Sequence, residues 1–530
     1  MYDYIIVGAG SAGCVLANRL SADPKNRVLL LEAGPRDRNI WLKIPAGLSR
    51  VFHHNTLNWG YFTEPERHLC DRRVYWPRGK TLGGSSAING MAYVRGNPSD
   101  YDHWRQLGNS GWSWDDVLPL FKRSENQERG ANEYHGAIGE MTVSDPRFRH
   151  VASNAFVASA ENAGIRPVDD FNGADQEGVS FLQFNIKNGV RHSTATAFLN
   201  PARRRTNLTI ETDAHVERVL FNGKRARGIV CRSNGISSDI AGREIVLCGG
   251  VINSPQLLML SGVGPAHHLR EMHIDPVADL PGVGENLQDH IHVHLRASVE
   301  PGYSLNPLLR SWRIFAELLK YALVRGGPLT LGPSHACAFV RSADHVERPD
   351  LQINFRPVST HFDGNGKLVP TSYPGVTASV CNLRPRSRGR LRLKSADPYQ
   401  PPTIQANYLD SNEDVCAMIA GVRRVRSIFH SSPLKDHIIE EAAPGSSVNA
   451  DDQIVQFIRE NAESMYHPVG TCKMGNDPMS VVDDQLKVRG ITGLRIVDAS
   501  IMPSIPSGNT NAPTIMVAEK GADLLLGSRK

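Results

Sequence analysis

A glycine-rich turn near the start of the chain constrains its fold more than any other feature. An apolar run from Tyr4 to Val7 leads into the turn, which is followed by apolar residues at helical spacing and by a second apolar run ending at Glu32. The turn itself is Gly8-Ala9-Gly10-Ser11-Ala12-Gly13. Continuous apolar runs on either side of a helical segment predict a βαβ unit whose strands lie in a buried parallel sheet.

This turn has the properties needed to hold a pyrophosphate. Gly8 permits the tight turn, Gly10 lets the backbone approach the phosphates, and Gly13 allows the helix to pack closely on the strand. The unpaired N–H groups at the start of the helix then face the negative charge. Glu32 follows Gly13 by 19 residues, where a carboxylate accepts hydrogen bonds from ribose hydroxyls and repels a 2′-phosphate. The motif predicts an adenine dinucleotide, but it does not separate FAD from NAD.

Later segments indicate that this sheet is assembled from distant parts of the chain. Residues 244–248, which precede Gly249-Gly250 and a helical pattern, and residues 494–497 are two further apolar strands of the same kind. Between about 300 and 455 the pattern alternates instead, as in Leu351-Gln352-Ile353-Asn354-Phe355 and in 391–393. Such alternation is typical of a mostly antiparallel sheet with one solvated face.

The predicted architecture is α/β, with a Rossmann-type dinucleotide-binding domain built from several chain segments and an α+β substrate domain with a mostly antiparallel sheet. We assign residues 1–157, 190–300 and 455–530 to the first domain, and residues 158–189 and 301–454 to the second. Two domains agree with the length of 530 residues, because single cores rarely grow beyond about 250–300 residues.

Composition and charge argue against several classes of protein. The net charge of +5 is small and the basic residues are scattered, so no nucleic-acid surface is expected. The eight cysteines show neither CxxC pairs nor zinc-site spacing, which predicts free buried thiols in a reducing compartment and no metal site. No apolar window is long enough to span a membrane, and the strand that follows Met1 leaves no room for a signal peptide. We therefore expect a cytoplasmic protein.

Other motifs carry a resemblance to a known family. Residues 79–89, Gly79-Lys80-Thr81-Leu82-Gly83-Gly84-Ser85-Ser86-Ala87-Ile88-Asn89, resemble the first signature of the glucose-methanol-choline (GMC) oxidoreductases. Residues 250–264 resemble the second, except at Val251, where the family usually has a small residue. Segments 282–290, 467–468 and 497–503 also match. The chain looks similar to alcohol dehydrogenases of bacterial alkane pathways and to choline dehydrogenases from residue 1 to about 527, which implies that the dinucleotide is FAD.

The resemblance also implies where FAD lies. The last helix is expected to begin near Asn511, with Asn511 as its cap and Pro513 in its first turn, and its dipole would favour reduced flavin by on the order of 0.3–2 kcal/mol. Some members of the family attach FAD covalently through a histidine, but Ile88 occupies that position, which predicts non-covalent FAD. The residues expected to contact FAD are Gly8, Gly10, Ser11, Ala12, Gly13, Glu32, Ala33, Gly83, Ser85, Asn89, Gly90, Met91, Val216, Asp498, Ala499 and Asn511.

His467 is the predicted catalytic base. It stands in Met465-Tyr466-His467-Pro468, the place of the family's catalytic histidine, and an imidazole suits proton abstraction near neutral pH. The family's partner, a second histidine or an asparagine about 43 residues later, falls on Asn509, with Asn511 as the rival assignment. His467 would accept the hydroxyl proton, Asn509 would hold the oxygen, and hydride would pass to flavin N5, leaving an aldehyde or ketone.

The substrate and the electron acceptor are less constrained. Choline needs a carboxylate or an aromatic cage for its ammonium group. The glutamate of choline-oxidising relatives aligns with His335, and Gly90 stands where a choline oxidase has serine. We therefore expect a neutral primary alcohol, with choline as the alternative. The motifs do not separate dehydrogenases, which pass electrons to a quinone or another acceptor, from alcohol oxidases that use oxygen.

Residues 310–325 combine apolar residues at helical spacing with four basic side chains. This pattern predicts an amphipathic helix that either contacts the inner face of a membrane peripherally or packs on the substrate domain. The sequence leaves the oligomeric state open.

Two other functional classes stay open. Flavoproteins of this fold include lyases such as hydroxynitrile lyases, in which FAD undergoes no net redox change. A non-catalytic flavin-binding protein would keep Glu32 and the glycines, but it would not need His467 beside Asn509. Anaerobic bleaching of the flavin by an alcohol separates an oxidoreductase from a lyase.

Overall fold

Two seven-stranded sheets form the framework of the protein. The computed structural model describes residues 1–362 and 368–528. The first sheet contains five parallel strands in the spatial order Leu208–Glu211, Val28–Leu31, Tyr2–Val7, Ile236–Leu247 and Leu494–Ile496. The long strand Ile236–Leu247 continues beyond this parallel part and pairs antiparallel with Arg225–Ser233, which in turn pairs with Ala214–Asn222. The prediction of a parallel sheet assembled from distant segments is confirmed.

Apolar burial explains the centre of this sheet. Strand Tyr2–Val7 is paired on both sides, with Tyr4 opposite both Val28 and Glu244. Helix Ser11–Leu20 begins directly after the glycine turn and is buried along most of its length. It packs against the C-terminal helix Asn511–Gly527, so the two ends of the described chain share one core.

The second sheet is antiparallel. Its strands follow the order Ile438–Ala443, Ile291–Val299, Gly375–Asn382, Leu351–Arg356, Ala336–Val340 and Gly178–Phe181, and the short strand Glu463–Ser464 also pairs with Ile291–Val299. The predicted solvated face is wrong, because Gln352 and Asn354 are only 1% and 3% exposed. Residues of the first domain, among them Met91 and Val94, pack over this polar side of the sheet.

Pairing also corrects part of the predicted domain division. Strand Ile291–Val299 belongs to the second sheet, although residues 190–300 were assigned to the first domain. The predicted boundary at residue 157 falls inside helix Val151–Asn162, which packs on strands Gly178–Phe181 and Ala336–Val340. Strand pairing, which sets these boundaries, is not encoded in a local pattern. The other predicted bounds stay predictions.

The remaining elements surround the two sheets. The helices are Ser11–Leu20, Leu48–Val51, Pro98–Gln106, Trp114–Ser124, Val151–Asn162, Asn200–Ala202, Gly250–Leu260, Ala266–Glu271, Asn306–Leu309, Ile314–Val324, Asn412–Phe429, Asp451–Asn461 and Asn511–Gly527. Two-stranded pairs are Tyr61–Phe62 with Tyr75–Trp76, Glu125–Gln127 with Met141–Val143, Ile186–Lys187 with Val190–Arg191, Val263–Gly264 with Ala278–Asp279, Thr360–Phe362 with Leu368–Pro370, and Arg390–Arg392 with Thr403–Gln405.

Two sequence expectations concern the whole chain. The eight cysteines are free, as predicted, but Cys70 and Cys416 are exposed rather than buried. Across the described residues, no helix combines the length and apolar character that crossing a bilayer demands.

Candidate active site

A cavity lies at the carboxyl ends of the parallel strands of the first sheet, where Val7, Leu31 and Leu247 line it. The same cavity extends to His467 and Asn509, so one space joins the predicted dinucleotide site to the predicted catalytic pair. Of the predicted site residues, the cavity is lined by Gly8, Gly10, Ser11, Ala12, Glu32, Ala33, Ser85, Asn89, Gly90, Met91, Val216, His467, Asp498, Ala499, Asn509 and Asn511.

Two glycine loops meet at one wall of the cavity. Gly8 has φ +104°, and a Cβ on Gly13 would lie 1.9 Å from the carbonyl oxygen of Gly8. A Cβ on Gly84 would lie 2.6 Å from the Cα of Gly10. The backbone N–H of Gly83 donates to the carbonyl of Ala9. Gly13 and Gly83 therefore do not line the cavity but shape the two loops that do.

Glu32 and Asp498 stabilise the backbone around these loops. The carboxylate of Glu32 accepts hydrogen bonds from the N–H groups of Ala9 and Gly34, and burial raises its pKa to about 7. Asp498 accepts from the N–H of Gly250 and from the Ser254 hydroxyl. Both carboxylates are buried and already paired within the protein, so they form the cavity wall together with their own loops.

The last helix begins as predicted, but it is capped differently. Helix Asn511–Gly527 starts at the cavity, and Pro513 lies in its first turn. Its N-cap is Thr510, so the predicted cap role of Asn511 is wrong. The side-chain oxygen of Asn511, Oδ1, accepts from the Ser11 hydroxyl, and its Nδ2 donates to Oδ1 of Asn185. Because these partners occupy the side chain, it connects the first and last helices.

His467 and Asn509 meet at the other side of the cavity. Nε2 of His467 lies 3.1 Å from Nδ2 of Asn509, and Nδ1 of His467 lies 3.1 Å from Nδ1 of His290. Nε2 of His290 lies 3.0 Å from the carbonyl oxygen of Leu383. A carbonyl can only accept, so Nε2 of His290 carries the proton and its Nδ1 accepts from Nδ1–H of His467. This arrangement of hydrogen bonds leaves Nε2 of His467 unprotonated, so it accepts from the side-chain amide of Asn509.

Burial keeps this base neutral. The pKa of His467 is held well below its ordinary value by burial and, to a lesser extent, by His290 and Arg78. Burial also lowers the pKa of His290 to about 4. Both rings are therefore uncharged near pH 7, which is the form that can accept a proton. The side-chain oxygen of Asn509 is buried and has no partner among the described residues.

The backbone at His467 is fixed by Asp289. The carboxylate of Asp289 accepts from the N–H of His467, from the Ser464 hydroxyl and from the phenol of Tyr408. Tyr466, just before the base, has φ +65°, a conformation that non-glycine residues rarely adopt. The imidazole therefore owes its position to a strained and firmly bonded segment.

Comparison with known proteins agrees with this geometry. Residues 2–292 and 385–518 match the two family models of the GMC oxidoreductases. The chain belongs to the GMC oxidoreductase family. It is 47% identical to an alcohol dehydrogenase [acceptor] from Pseudomonas putida, over 99% of this chain and 96% of that protein. It is 43% identical to the mitochondrial choline dehydrogenase of Homo sapiens, over 99% of this chain and 90% of that protein.

Solved structures show the same fold. Pyridoxine 4-oxidase from Mesorbium loti superposes with a TM-score of 0.90 at 29% identity, covering 98% of both chains. A variant of the formate oxidase of Aspergillus oryzae, studied for the effect of a mutation on FAD modification, superposes with a TM-score of 0.91 at 27% identity, covering 99% of this chain and 98% of that one. The predicted fold class and family are therefore confirmed.

Two residues from which the sequence analysis predicted chemistry, His335 and Ile88, do not line the cavity. His335 is buried against helix Val151–Asn162, where its Nδ1 lies 2.7 Å from the Ser153 hydroxyl. The argument against choline from His335 therefore loses its basis, because that side chain does not line the cavity. Ile88 packs in an apolar cluster with Leu42 and Leu57. Gly90 does line the cavity, and a Cβ there would lie 2.8 Å from Cγ of Pro333.

Sequence reasoning missed three residues around the base: Asp289, His290 and Arg78. The first two end the segment 282–290 that carried part of the resemblance, so the sequence could have identified them as candidate residues of the site. Arg78 precedes the first signature, lines the cavity and donates to the carbonyl of Tyr466. No spacing rule connects it with a residue almost four hundred positions later.

Proposed function

We propose that this protein binds FAD non-covalently in the cavity and oxidises a primary alcohol to the aldehyde. One observation carries the proposal: a neutral imidazole, unprotonated at Nε2, accepts from a carboxamide in the same cavity as two glycine loops suited to a dinucleotide. A non-catalytic flavin-binding protein would not need that pair.

Each side chain has a defined task in this proposal. The alcohol oxygen enters between His467 and Asn509, accepts from Nδ2 of Asn509, and donates its proton to Nε2 of His467. Because these two nitrogens lie 3.1 Å apart, substrate binding must separate them. His290 accepts from Nδ1–H and so keeps the proton off Nε2 until the alcohol arrives. When bound, FAD supplies the hydride acceptor at N5.

The walls of the cavity fit the cofactor. Gly10 and Gly84 leave room for a phosphate chain at the start of helix Ser11–Leu20, where unpaired N–H groups favour negative charge. The N-terminus of helix Asn511–Gly527 points into the same cavity and favours negative charge on reduced flavin. Ile88 cannot form a covalent bond to the flavin, which supports a dissociable cofactor.

Anaerobic stopped-flow absorbance of the FAD-loaded protein tests this function. Primary alcohols are expected to bleach the flavin band, and the matching aldehyde should accumulate in equal amount. A yellow protein that no alcohol bleaches would instead support a lyase. Repeating the reaction in air and with a ubiquinone analogue then separates an oxygen-using oxidase from a dehydrogenase that passes electrons to a quinone.

We further propose peripheral membrane contact through residues 309–325. Helix Ile314–Val324 buries only Tyr321 fully, whereas Trp312, Phe315 and Leu323 are 77%, 71% and 74% exposed. Leu309, Leu318, Leu319 and Val324 extend this apolar surface, and Arg310, Arg313, Lys320 and Arg325 are exposed beside it. Contiguous exposed apolar residues with basic neighbours are typical of a helix lying in an anionic bilayer surface.

This surface lies next to the cavity along the chain. The helix ends at Val324, and the chain continues through a 3₁₀ turn at Pro328–Thr330 to Gly332 and Pro333, which contact Gly90 in the cavity wall. Docking would thus bring the site close to membrane quinone. Co-sedimentation with vesicles containing phosphatidylglycerol should be lost in Trp312→Ser/Phe315→Ser, whereas Ile236→Ser, a change at another exposed apolar residue, should leave it unchanged. Equal binding of all three proteins would contradict the proposal.

A further inference from the structure

A tight hairpin fixes the position of a buried arginine, Arg191. Strands Ile186–Lys187 and Val190–Arg191 are joined by Asn188-Gly189, whose φ angles of +52° and +74° belong to the two-residue turn that suits the twist of paired strands. The backbone N–H of Arg191 also donates to the carbonyl of Lys43. Arg191 is therefore held from two sides, and it is only 3% exposed.

The Arg191 side chain holds a strained turn in the cavity wall. Its Nη1 donates to the backbone carbonyl of Asn89 at 2.6 Å and to Oδ1 of the same residue at 2.9 Å. Oδ1 of Asn89 also accepts from the N–H of Met91, which has φ +63°. Asn89, Gly90 and Met91 all line the cavity. Arg191 thus lies directly behind the cavity wall and fixes the shape of that wall.

The charge of Arg191 has no counter-ion among the described residues. Its Nε and Nη2 are buried without a hydrogen-bond partner in that part of the chain, and Nη1 bonds only neutral oxygen atoms of Ser86 and Asn89. Burial is the cause that lowers the pKa of Arg191 to about 9, so the side chain stays charged at pH 7. Buried charges are normally paired, because moving an ion out of water is costly. An unpaired guanidinium behind the cavity wall therefore calls for an anion that a ligand supplies.

The turn that Arg191 holds is linked to the catalytic pair. The carbonyl of Met91 accepts from the backbone N–H of Asn185, and Oδ1 of Asn185 accepts from Nδ2 of Asn511. Asn511 begins the last helix and follows Asn509, the partner of His467, by two residues. Hydride transfer requires contact between the alcohol carbon and the flavin ring, so the proposed function puts the ring near this pair. Arg191 therefore acts on the redox end of the cofactor.

Reduction of the flavin changes the charge that Arg191 faces. A hydride adds one proton and two electrons, which leaves the reduced ring with one negative charge. A positive charge behind the wall, with no other counter-ion, stabilises that form relative to the oxidised one. The N-terminus of helix Asn511–Gly527 acts in the same direction.

A purely structural role for Arg191 is the competing explanation. A neutral amide at this position could donate to the same oxygen atoms, because all the bonds come from Nη1 alone. A guanidinium instead takes a charge out of water and leaves two nitrogens unpaired, which is a net cost unless a ligand compensates it. The buried charge is thus explained by an effect that a neutral side chain could not supply.

Resting on the proposed function, since it requires FAD in the cavity, we propose that Arg191 is a positioning and electrostatic residue for the flavin. It holds the turn Asn89–Met91 beside the ring, and its charge makes the bound flavin easier to reduce. The counter-ion of Arg191 is then the reduced flavin itself.

The reduction potential of the bound flavin tests this role without any alcohol. Arg191→Gln keeps a donor near Asn89 but removes the charge, so the ratio of reduced to oxidised flavin at a fixed potential should fall by about 10–100-fold. For a two-electron couple this is a fall of about 30 mV per tenfold. Arg191→Lys keeps the charge and should stay close to the wild type. An anaerobic titration against a redox dye measures the potential, and Arg423→Gln, at an exposed arginine, is the control.

Sulfite binding gives a second readout. Sulfite adds to N5 of oxidised flavins, bleaches them and leaves negative charge on the ring, so its affinity should fall by about 10–100-fold in Arg191→Gln but not in Arg191→Lys. Asn89→Asp brings a carboxylate to the guanidinium and should weaken sulfite binding in the same direction while raising the melting temperature. If Arg191→Gln loses FAD or does not fold, Asn89→Asp decides the question.

The outcomes separate this inference from the proposed function. Equal potentials and equal sulfite affinities in the wild type, Arg191→Gln and Asn89→Asp would overturn the role of the charge, even if alcohols bleach the flavin. Losses as large in Arg191→Lys as in Arg191→Gln would overturn it too, because the bonds to Asn89 would then explain the effect. If no alcohol bleaches the flavin but sulfite separates the variants as expected, alcohol oxidation fails and the role of Arg191 stands.

Discussion

The dinucleotide side of the cavity and the polar face of the second sheet differ in how fully their polar groups are paired. On the first side, Glu32, Asp498 and Asn511 all have partners within the protein. On the second, His292 and Asn354 are buried, but both ring nitrogens of His292 and the amide nitrogen of Asn354 have no partner among the described residues. The first region is thus shaped before its ligand arrives, whereas the second holds buried polar atoms that no described side chain satisfies.

The largest expected effect lies at His467, between the two regions. His467→Ala removes the proton acceptor and should slow flavin reduction by about 10²–10⁴-fold, because a general base contributes about that much. Both regions should stay intact, so FAD content should match the wild type. Single-turnover stopped-flow absorbance measures the rate, and His267→Ala, at an exposed histidine, serves as control. Reduction at the wild-type rate would disprove the assignment.

A substitution in the glycine loops should damage the dinucleotide side alone. In Gly13→Ala the new Cβ would lie 1.9 Å from the carbonyl oxygen of Gly8, so the loop must move. Overpacking of this kind costs on the order of 1–3 kcal/mol. We expect loss of bound FAD, measured as the ratio of flavin to protein absorbance, and a lower melting temperature. Gly302→Ala, where an added Cβ meets nothing within 4 Å, should change neither.

The hydrogen bonds that fix the tautomer of His467 predict a smaller effect at His290. His290→Leu removes the acceptor for Nδ1–H of His467, so the proton can move to Nε2 and block the base. We expect kcat to fall by about 10–100-fold, the cost typical of losing a residue that orients another. His290→Asn restores an acceptor near the same place and should recover much of the rate. Equal rates for the two variants would show that His290 has only a packing role.

The smallest effect concerns pH and the polar face. Burial lowers the pKa of His292 to about 3 in the folded protein, below its value of about 6.5 when unfolded. The unfolded state therefore binds one more proton at this residue between pH 6.5 and 3, and the free energy of unfolding falls as the pH falls through that window. Between pH 6.5 and 5.0, the free energy of unfolding measured in urea should fall by about 1–2 kcal/mol less in His292→Leu than in the wild type. His267→Leu should behave like the wild type.

The pH dependence of catalysis should differ from that of a free imidazole. Because the pKa of His467 is lowered, the base stays unprotonated well below pH 6.5. We expect kcat/KM to be flat from about pH 6 upwards and to fall only at lower pH. An inflection near pH 6.5 would indicate a solvated base.

Sequence reasoning succeeded where local pattern and chemistry coincide. The glycine turn predicted its strand–helix–strand context, and the resemblance placed His467 and Asn509, which lie in hydrogen-bonding contact. It failed where tertiary contacts decide the outcome. Alternation in 351–355 distinguishes two faces of a strand but not what covers each of them, so the burial of Gln352 was missed. The N-cap of the last helix is Thr510, and the side chain of Asn511 accepts a hydrogen bond from Ser11 instead.

The contact between the first and last helices has a consequence for how the protein is made. Arg19 in the first helix pairs with the buried carboxylate of Glu519 in the last, and the hydroxyl of Ser11 donates to the side-chain oxygen of Asn511 in the cavity wall. A ribosome releases the glycine turn at the beginning of translation but helix Asn511–Gly527 only near the end. The cavity that both helices line can therefore take its final shape only after the last helix has been synthesised.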